Sequence, residues 1–146
     1  MSKESKGKIL VIDDDESLLE LAEVILQKAG YRVTAAESVH EALALAQSED
    51  FILALCDVRL PDASGMEFLA QIQEIKKDLP VIMMTNFGSL QGVEEALSLG
   101  AKAFITKPLR SERILKIIQA VLAGETMSWE KIISEENIYS YFSPPS

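Results

Sequence analysis

The stretch "FILALCDVRLPD", residues 51–62, runs through apolar side chains and then delivers an aspartate. Residues 51–56 have the length and composition of a buried strand. Asp57 follows directly, and Pro61 ends any extended pairing. A carboxylate at the tip of a buried strand needs a reason, because an unpaired buried charge is costly. Asp57 is either an Asx-type turn residue ahead of Pro61 or one member of a charged site.

The flanking sequence repeats the theme. "KILVI" (8–12) reads as a strand and leads into "DDDES" (13–17). Leu18, Leu21, Ala22, Ile25, Leu26 and Ala29 then recur at helical spacing, and Gly30 follows as a C′ residue. "YRVTAA" (31–36) reads as a second strand. "SVHE" (38–41) is a capping box that opens a helix with an apolar face of Val39, Ala42, Leu43 and Ala46. Beyond the third strand, Ser64 and Glu67 offer another capping box, with Phe68, Leu69, Ile72 and Ile75 behind it. Gly65 reads as permission for a tight turn or helix start. Pro80 opens "VIMM", which ends in Thr85. A helix from about Ser89 to Leu99 ends at Gly100, "KAFIT" (102–106) is a fifth strand, and Ile114, Ile117, Ile118 and Val121 mark a last helix ending near Gly124.

Strand and helix alternate five times. This predicts an α/β fold of the (βα)5 type, a doubly wound parallel sheet with helices on both faces and right-handed crossovers. The pattern occupies residues 1–124. Residues 125–146 stand outside it as a tail or linker, partly helical around Trp129, Ile132 and Ile133, and then irregular through "IYSYFSPPS".

Open parallel sheets bind ligands beyond the carboxyl ends of their strands. The first strand ends at Asp13 and Asp14, the third at Asp57, the fourth at Thr85, and the fifth reaches Lys107. The second offers nothing comparable. Three carboxylates brought together need a cation, and oxygen ligands of this kind suit Mg²⁺, which binds one or two carboxylates, waters and a phosphoryl oxygen. A lysine ammonium and a threonine hydroxyl complete a site for a phosphoryl group on or near a carboxylate.

Composition limits the alternatives. The chain has 146 residues, 48% hydrophobic and 25% charged, which suits one globular domain. A net charge of -9 argues against direct nucleic-acid binding and against anionic membranes. One cysteine excludes an intrachain disulfide, and one Cys with one His makes a zinc site implausible. Cys56 reads as a small buried hydrophobe. No apolar run approaches membrane-spanning length, and no signal region follows "MSKESKGK", so a cytoplasmic location is expected.

The segments "ILVIDDDES", "CDVRLPDASGMEFL", "VIMMTNFGS" and "GAKAFITKPL", spread over about residues 7–123, together resemble bacterial two-component response-regulator receiver domains. The resemblance implies a flavodoxin-like strand order of 2-1-3-4-5. It implies that Asp57 accepts a phosphoryl group, with Asp13, Asp14, Asp57 and the Arg59 carbonyl holding Mg²⁺. Thr85 would be a switch hydroxyl, Lys107 its charged companion, and Phe104 an aromatic switch residue. The Lys107–Pro108 bond is often cis in the family. The implied partner is a sensor histidine kinase or a histidine phosphotransfer protein. A homodimer through the fourth helix, fifth strand and fifth helix is also implied, with Ile114 and Ile118 as either contacts or core.

The subgroup resembled is the receivers of enhancer-binding transcriptional activators, which carry an ATPase and a DNA-binding domain. At 146 residues, a stand-alone regulator, a receiver with an unusual tail, or a fragment is expected. Asn86 departs from the small residue usual after the switch threonine. With Phe87 it is expected to slow loss of the phosphoryl group. A phosphatase of the haloacid dehalogenase type is the alternative from "DDDES", although Glu16 stands where such enzymes have a small or hydroxyl residue. A dinucleotide-binding domain lacks its G-x-G-x-x-G here. Asp15 and Glu16 read as caps or solvated charges, and His40 as solvent-facing.

Overall fold

The computed structural model describes residues 5–86, 90–128 and 131. Its elements alternate as expected: β1 (Lys8–Ile12), α1 (Glu16–Lys28), β2 (Arg32–Ala36), α2 (Val39–Ser48), β3 (Leu53–Asp57), α3 (Gly65–Ile75), β4 (Val81–Thr85), α4 (Leu90–Ser98), β5 (Ala103–Thr106) and α5 (Ser111–Leu122). The strands form one parallel sheet in the order β2-β1-β3-β4-β5. This is the doubly wound, flavodoxin-like arrangement. Every residue of β3 and β4 is buried on both faces of the pleat, because helices cover both sides.

Local chemistry explains the boundaries. Asp15 caps α1, its Oδ1 accepting from the N–H groups of Ser17 at 2.9 Å and Leu18 at 3.3 Å. The helix ends in a Schellman pattern. Gly30, at φ 100, donates to Gln27, and Tyr31 donates to Leu26. Ser38 caps α2 by accepting from Glu41 N–H at 3.1 Å, as the "SVHE" pattern predicts. Glu41 reaches back one residue further than a capping box requires, to Glu37 N–H at 2.9 Å. Ser64 caps α3 through Met66 N–H.

The run 51–56 is shifted relative to its expected strand. β3 starts at Leu53 and includes Asp57 itself. Phe51 instead lies beneath the Lys8 ammonium, 4.9 Å from the ring centroid.

Phe68, Leu69 and Ile72 of α3 and Ile114 and Ile118 of α5 are buried in a single core with the strands. Burial of each such side chain contributes about 2 kcal/mol. Ile114 and Ile118 are therefore core residues, which removes them as partner contacts. Beyond α5, Met127 is buried and its N–H donates to the Lys102 carbonyl at 2.8 Å, at the start of β5. Trp129, Ile132, Ile133 and Phe87, named above, lie outside the described residues. Among the described residues no helix is long and apolar enough to cross a membrane.

Candidate functional site

The strand ends converge. Parallel β1 and β3 lie side by side, with Ile12 opposite Cys56, so Asp13 and Asp57 emerge next to one another. One carboxylate oxygen from each of Asp13, Asp14 and Asp57 lies within 4.8 Å of the others. Asp13 and Asp57 are buried, while Asp14 is exposed. These donors fit a hard divalent cation with one face open to water.

Lys107 reaches into the cluster from beyond β5. Its Nζ donates to Asp57 Oδ2 at 3.0 Å and lies 2.6 Å from Asp13 Oδ2. Both contacts are charge-assisted and make the Lys107 ammonium a shared counter-charge for the two acids. Asp13 Oδ1 accepts from Asp15 N–H at 2.9 Å, and Asp57 Oδ1 from Arg59 N–H at 3.2 Å. Lys107 N–H donates to the Thr85 carbonyl at 2.7 Å, and the Lys107–Pro108 bond is cis. Thr85 ends β4 in a buried position, and Asn86 beside it is exposed.

Phe104, at 1% exposure, is packed inside the core although β5 is an edge strand.

The two partners of the ion pair are unequally served. Burial pushes the Asp13 carboxyl above its ordinary 3.8 and Asp57 adds repulsion, which the Lys107 ammonium and the Asp15 N–H only partly offset. Burial works against charge on Lys107 too, but two acids outweigh it and hold its pKa above 10.5. By linkage, the stabilisation from neutral Asp13 is complete below pH 3.8 and lost as pH rises through the elevated native value. Lys107 contributes stability up to pH 10.5 and loses it through its own raised value. Asp13→Asn should therefore raise the melting temperature of metal-free protein by roughly 3 °C at neutral pH. Thermal unfolding in a chelator should show that gain shrinking as pH falls toward 3.8.

The neighbouring residues behave mostly as the sequence suggests. Asp15 is a cap, and His40 is exposed. Burial drives the Cys56 thiol well up, consistent with an inert packing residue. β2 brings no polar side chain to the edge, and its part is a backbone one: the Ala36 carbonyl accepts from Asp13 N–H at 2.9 Å. One feature differs. Gly65 serves close approach rather than a special backbone angle. A Cβ there would sit far inside contact distance of the Asp57 carbonyl oxygen and 3.0 Å from Cys56 Sγ.

Residues 9–119 match the model of the response regulator receiver domain. The chain belongs to that family. The receiver is 38% identical over 120 residues to the transcriptional regulatory protein ZraR of Salmonella typhimurium, covering 81% of this chain and 27% of ZraR. It spans about a quarter of the length of that relative. A CheY-like receiver domain protein from Methanospirillum hungatei superimposes with a TM-score of 0.77 at 35% identity, covering 83% of this receiver and 95% of that chain. The CheX–CheY–BeF3–Mg complex from Borrelia burgdorferi gives 0.74 at 27% identity, covering 78% and 87%. Membership removes the phosphatase alternative that "DDDES" left open.

Proposed function

We propose that this receiver accepts one phosphoryl group on Asp57 from a phosphohistidine of a sensor kinase or phosphotransfer protein, in a Mg²⁺-dependent reaction, and so acts as a switch in two-component signalling. One observation carries the reading: Asp13, Asp14 and Asp57, distant in sequence, meet within 4.8 Å with the Lys107 ammonium against two of them.

Asp13, Asp14, Asp57 and the Arg59 carbonyl would hold the cation. When bound, Mg²⁺ supplies charge neutralisation and a template for the transferred group. The BeF3–Mg complex of the Borrelia relative supports that choice of metal. A carboxylate oxygen of Asp57 attacks phosphorus, the P–N bond to the donor imidazole breaks with its electron pair going to nitrogen, and an acyl phosphate forms. Lys107, now on Asp57 Oδ2, is placed to pair with a phosphoryl oxygen, and the Thr85 hydroxyl with another.

The response is a population shift among packings of Thr85, Phe104 and the α4–β5–α5 face. Self-association through that face belongs to the same reading, as does a cytoplasmic location. So does division of the chain into a receiver at 1–124 and a tail at 125–146.

The test is mass spectrometry after acetyl phosphate and Mg²⁺. One phosphoryl group per chain is expected, and borohydride reduction followed by peptide sequencing should locate it at Asp57. Incorporation elsewhere, or none, would remove the proposal.

A further inference from the structure

Asp62 sits at the exposed tip of the loop between β3 and α3, yet both of its carboxylate oxygens are engaged by another element. Oδ1 accepts from Val39 N–H and Oδ2 from His40 N–H, each at 2.9 Å. Those two amides open α2, more than twenty residues earlier in the chain. We propose that Asp62 is a positioning residue for the metal-binding loop. By clamping residues 58–64 to the first turn of α2, it holds the Arg59 carbonyl and the Asp57 carboxylate in place for a divalent cation. This inference rests on the metal set of the proposed function.

The connections form a closed ring around the site. Asp13 N–H donates to the Ala36 carbonyl at the end of β2, and Val39 begins α2 three residues later. Val39 and His40 donate to Asp62, and the loop runs back to Arg59, whose N–H donates to Asp57 Oδ1. The base of the loop is fixed separately. Val58 N–H donates to the Met84 carbonyl at 2.9 Å, Gly65 N–H to the Val58 carbonyl at 2.7 Å, and Arg59 bridges to Ser64. Asp62 adds a hold at the tip.

Ser38 accepts from Glu41 N–H and leaves the Val39 and His40 amides of the first turn unserved. Asp62 takes both of them from another element, so the bonds that complete the α2 cap also tie that helix to the loop. An exposed aspartate fixed at both oxygens loses rotamer freedom. The offset comes from charge-assisted bonds at a helix N-terminus. The same two donors hold the Asp62 carboxyl below the ordinary carboxylate value. The charged form that makes the link is therefore the favoured one.

The experiment compares parent, Asp62→Ala, Asp62→Asn and Ser38→Ala as full chains. Mg²⁺ affinity is measured by calorimetry, and the rate of acetyl phosphate modification is followed across Mg²⁺ concentration. Loss of a residue that orients metal ligands typically weakens metal affinity by about 10-fold or more. Asp62→Ala should show a loss of about 10-fold, with the modification rate recovering at saturating Mg²⁺. Asp62→Asn, which keeps one acceptor oxygen, should fall between. Ser38→Ala removes a cap from the same helix and should lower the melting temperature with parental Mg²⁺ affinity.

Parental affinity in Asp62→Ala overturns the inference and leaves the proposed function standing. So does an equal loss in Ser38→Ala, which would reduce Asp62 to a helix cap. A parent chain that binds no Mg²⁺ overturns the metal set, and the inference with it.

Discussion

Gly65→Ala should lower the melting temperature by roughly 10 °C, a cost of about 3 kcal/mol, and should abolish phosphoryl uptake at Asp57. The reason is steric. The added methyl group collides with the Asp57 carbonyl oxygen and lies 3.0 Å from both the Asp57 carbonyl carbon and Cys56 Sγ. Two of these atoms are β3 backbone, and the third is the Sγ of fully buried Cys56. Asp57 belongs to a strand paired on both sides, with Cys56 opposite Ile12 and Asp57 opposite Met84. Relief requires either β3 or the start of α3 to move, and both carry the site. The interior is close-packed, so the strain has nowhere to dissipate. Circular dichroism melts, together with the mass assay, check the two halves. A variant with parental melting temperature and full modification would sink the argument.

Lys107→Met should cost about 2–3 kcal/mol in metal-free protein at neutral pH, somewhat below the usual penalty for stranding one partner of a buried pair. The side chain of Lys107 is 9% exposed, and its ammonium serves Asp13 and Asp57 together. Its removal leaves two neighbouring carboxylates without a counter-charge. Asp13, already pushed up by burial, would then bind a proton at still higher pH. The deficit should therefore shrink on mild acidification. Mg²⁺ should restore much of it, because binding only to the native state adds stability. In a double-mutant cycle, Asp13→Asn should recover most of the loss, since the pair shares one interaction. Denaturant unfolding at two pH values, with Mg²⁺ and with chelator, measures each part. Equal penalties in all four conditions would show that Lys107 acts through packing alone.

Much of this architecture was legible because it is written in short-range patterns. Five apolar runs, five helical periodicities and the glycines after α1 and α4 announce alternating elements without long-range information. Strand order is different in kind. Pairing among parallel strands depends on crossovers, and only the resemblance to a known family supplied it.

The site divides the same way. The convergence of Asp13, Asp57 and Lys107 could be anticipated because strand ends of a parallel sheet share one edge. Gly65 was read for its backbone freedom, whereas its reason is a contact made eight residues back, at Asp57. Asp62 carries no such positional signal. Its partners are the backbone amides of buried Val39 and exposed His40, and neither side chain marks its amide as bound from afar. Ile114 and Ile118 stayed open between contact and core for a related reason, since a helical stripe identifies an apolar face but not what covers it, and their burial decides for the core.

The hydrogen bond from Met127 to Lys102 has an implication for colloidal behaviour. β5 borders the sheet and spans four residues, Ala103–Thr106. A foreign strand seeking to extend the sheet would find its lower end already occupied by the chain's own backbone. At the opposite border, Arg32 sets an exposed cation at the head of β2. Short, obstructed or charged borders are how natural sheets resist fibrillar stacking. This fold has such protection on both flanks.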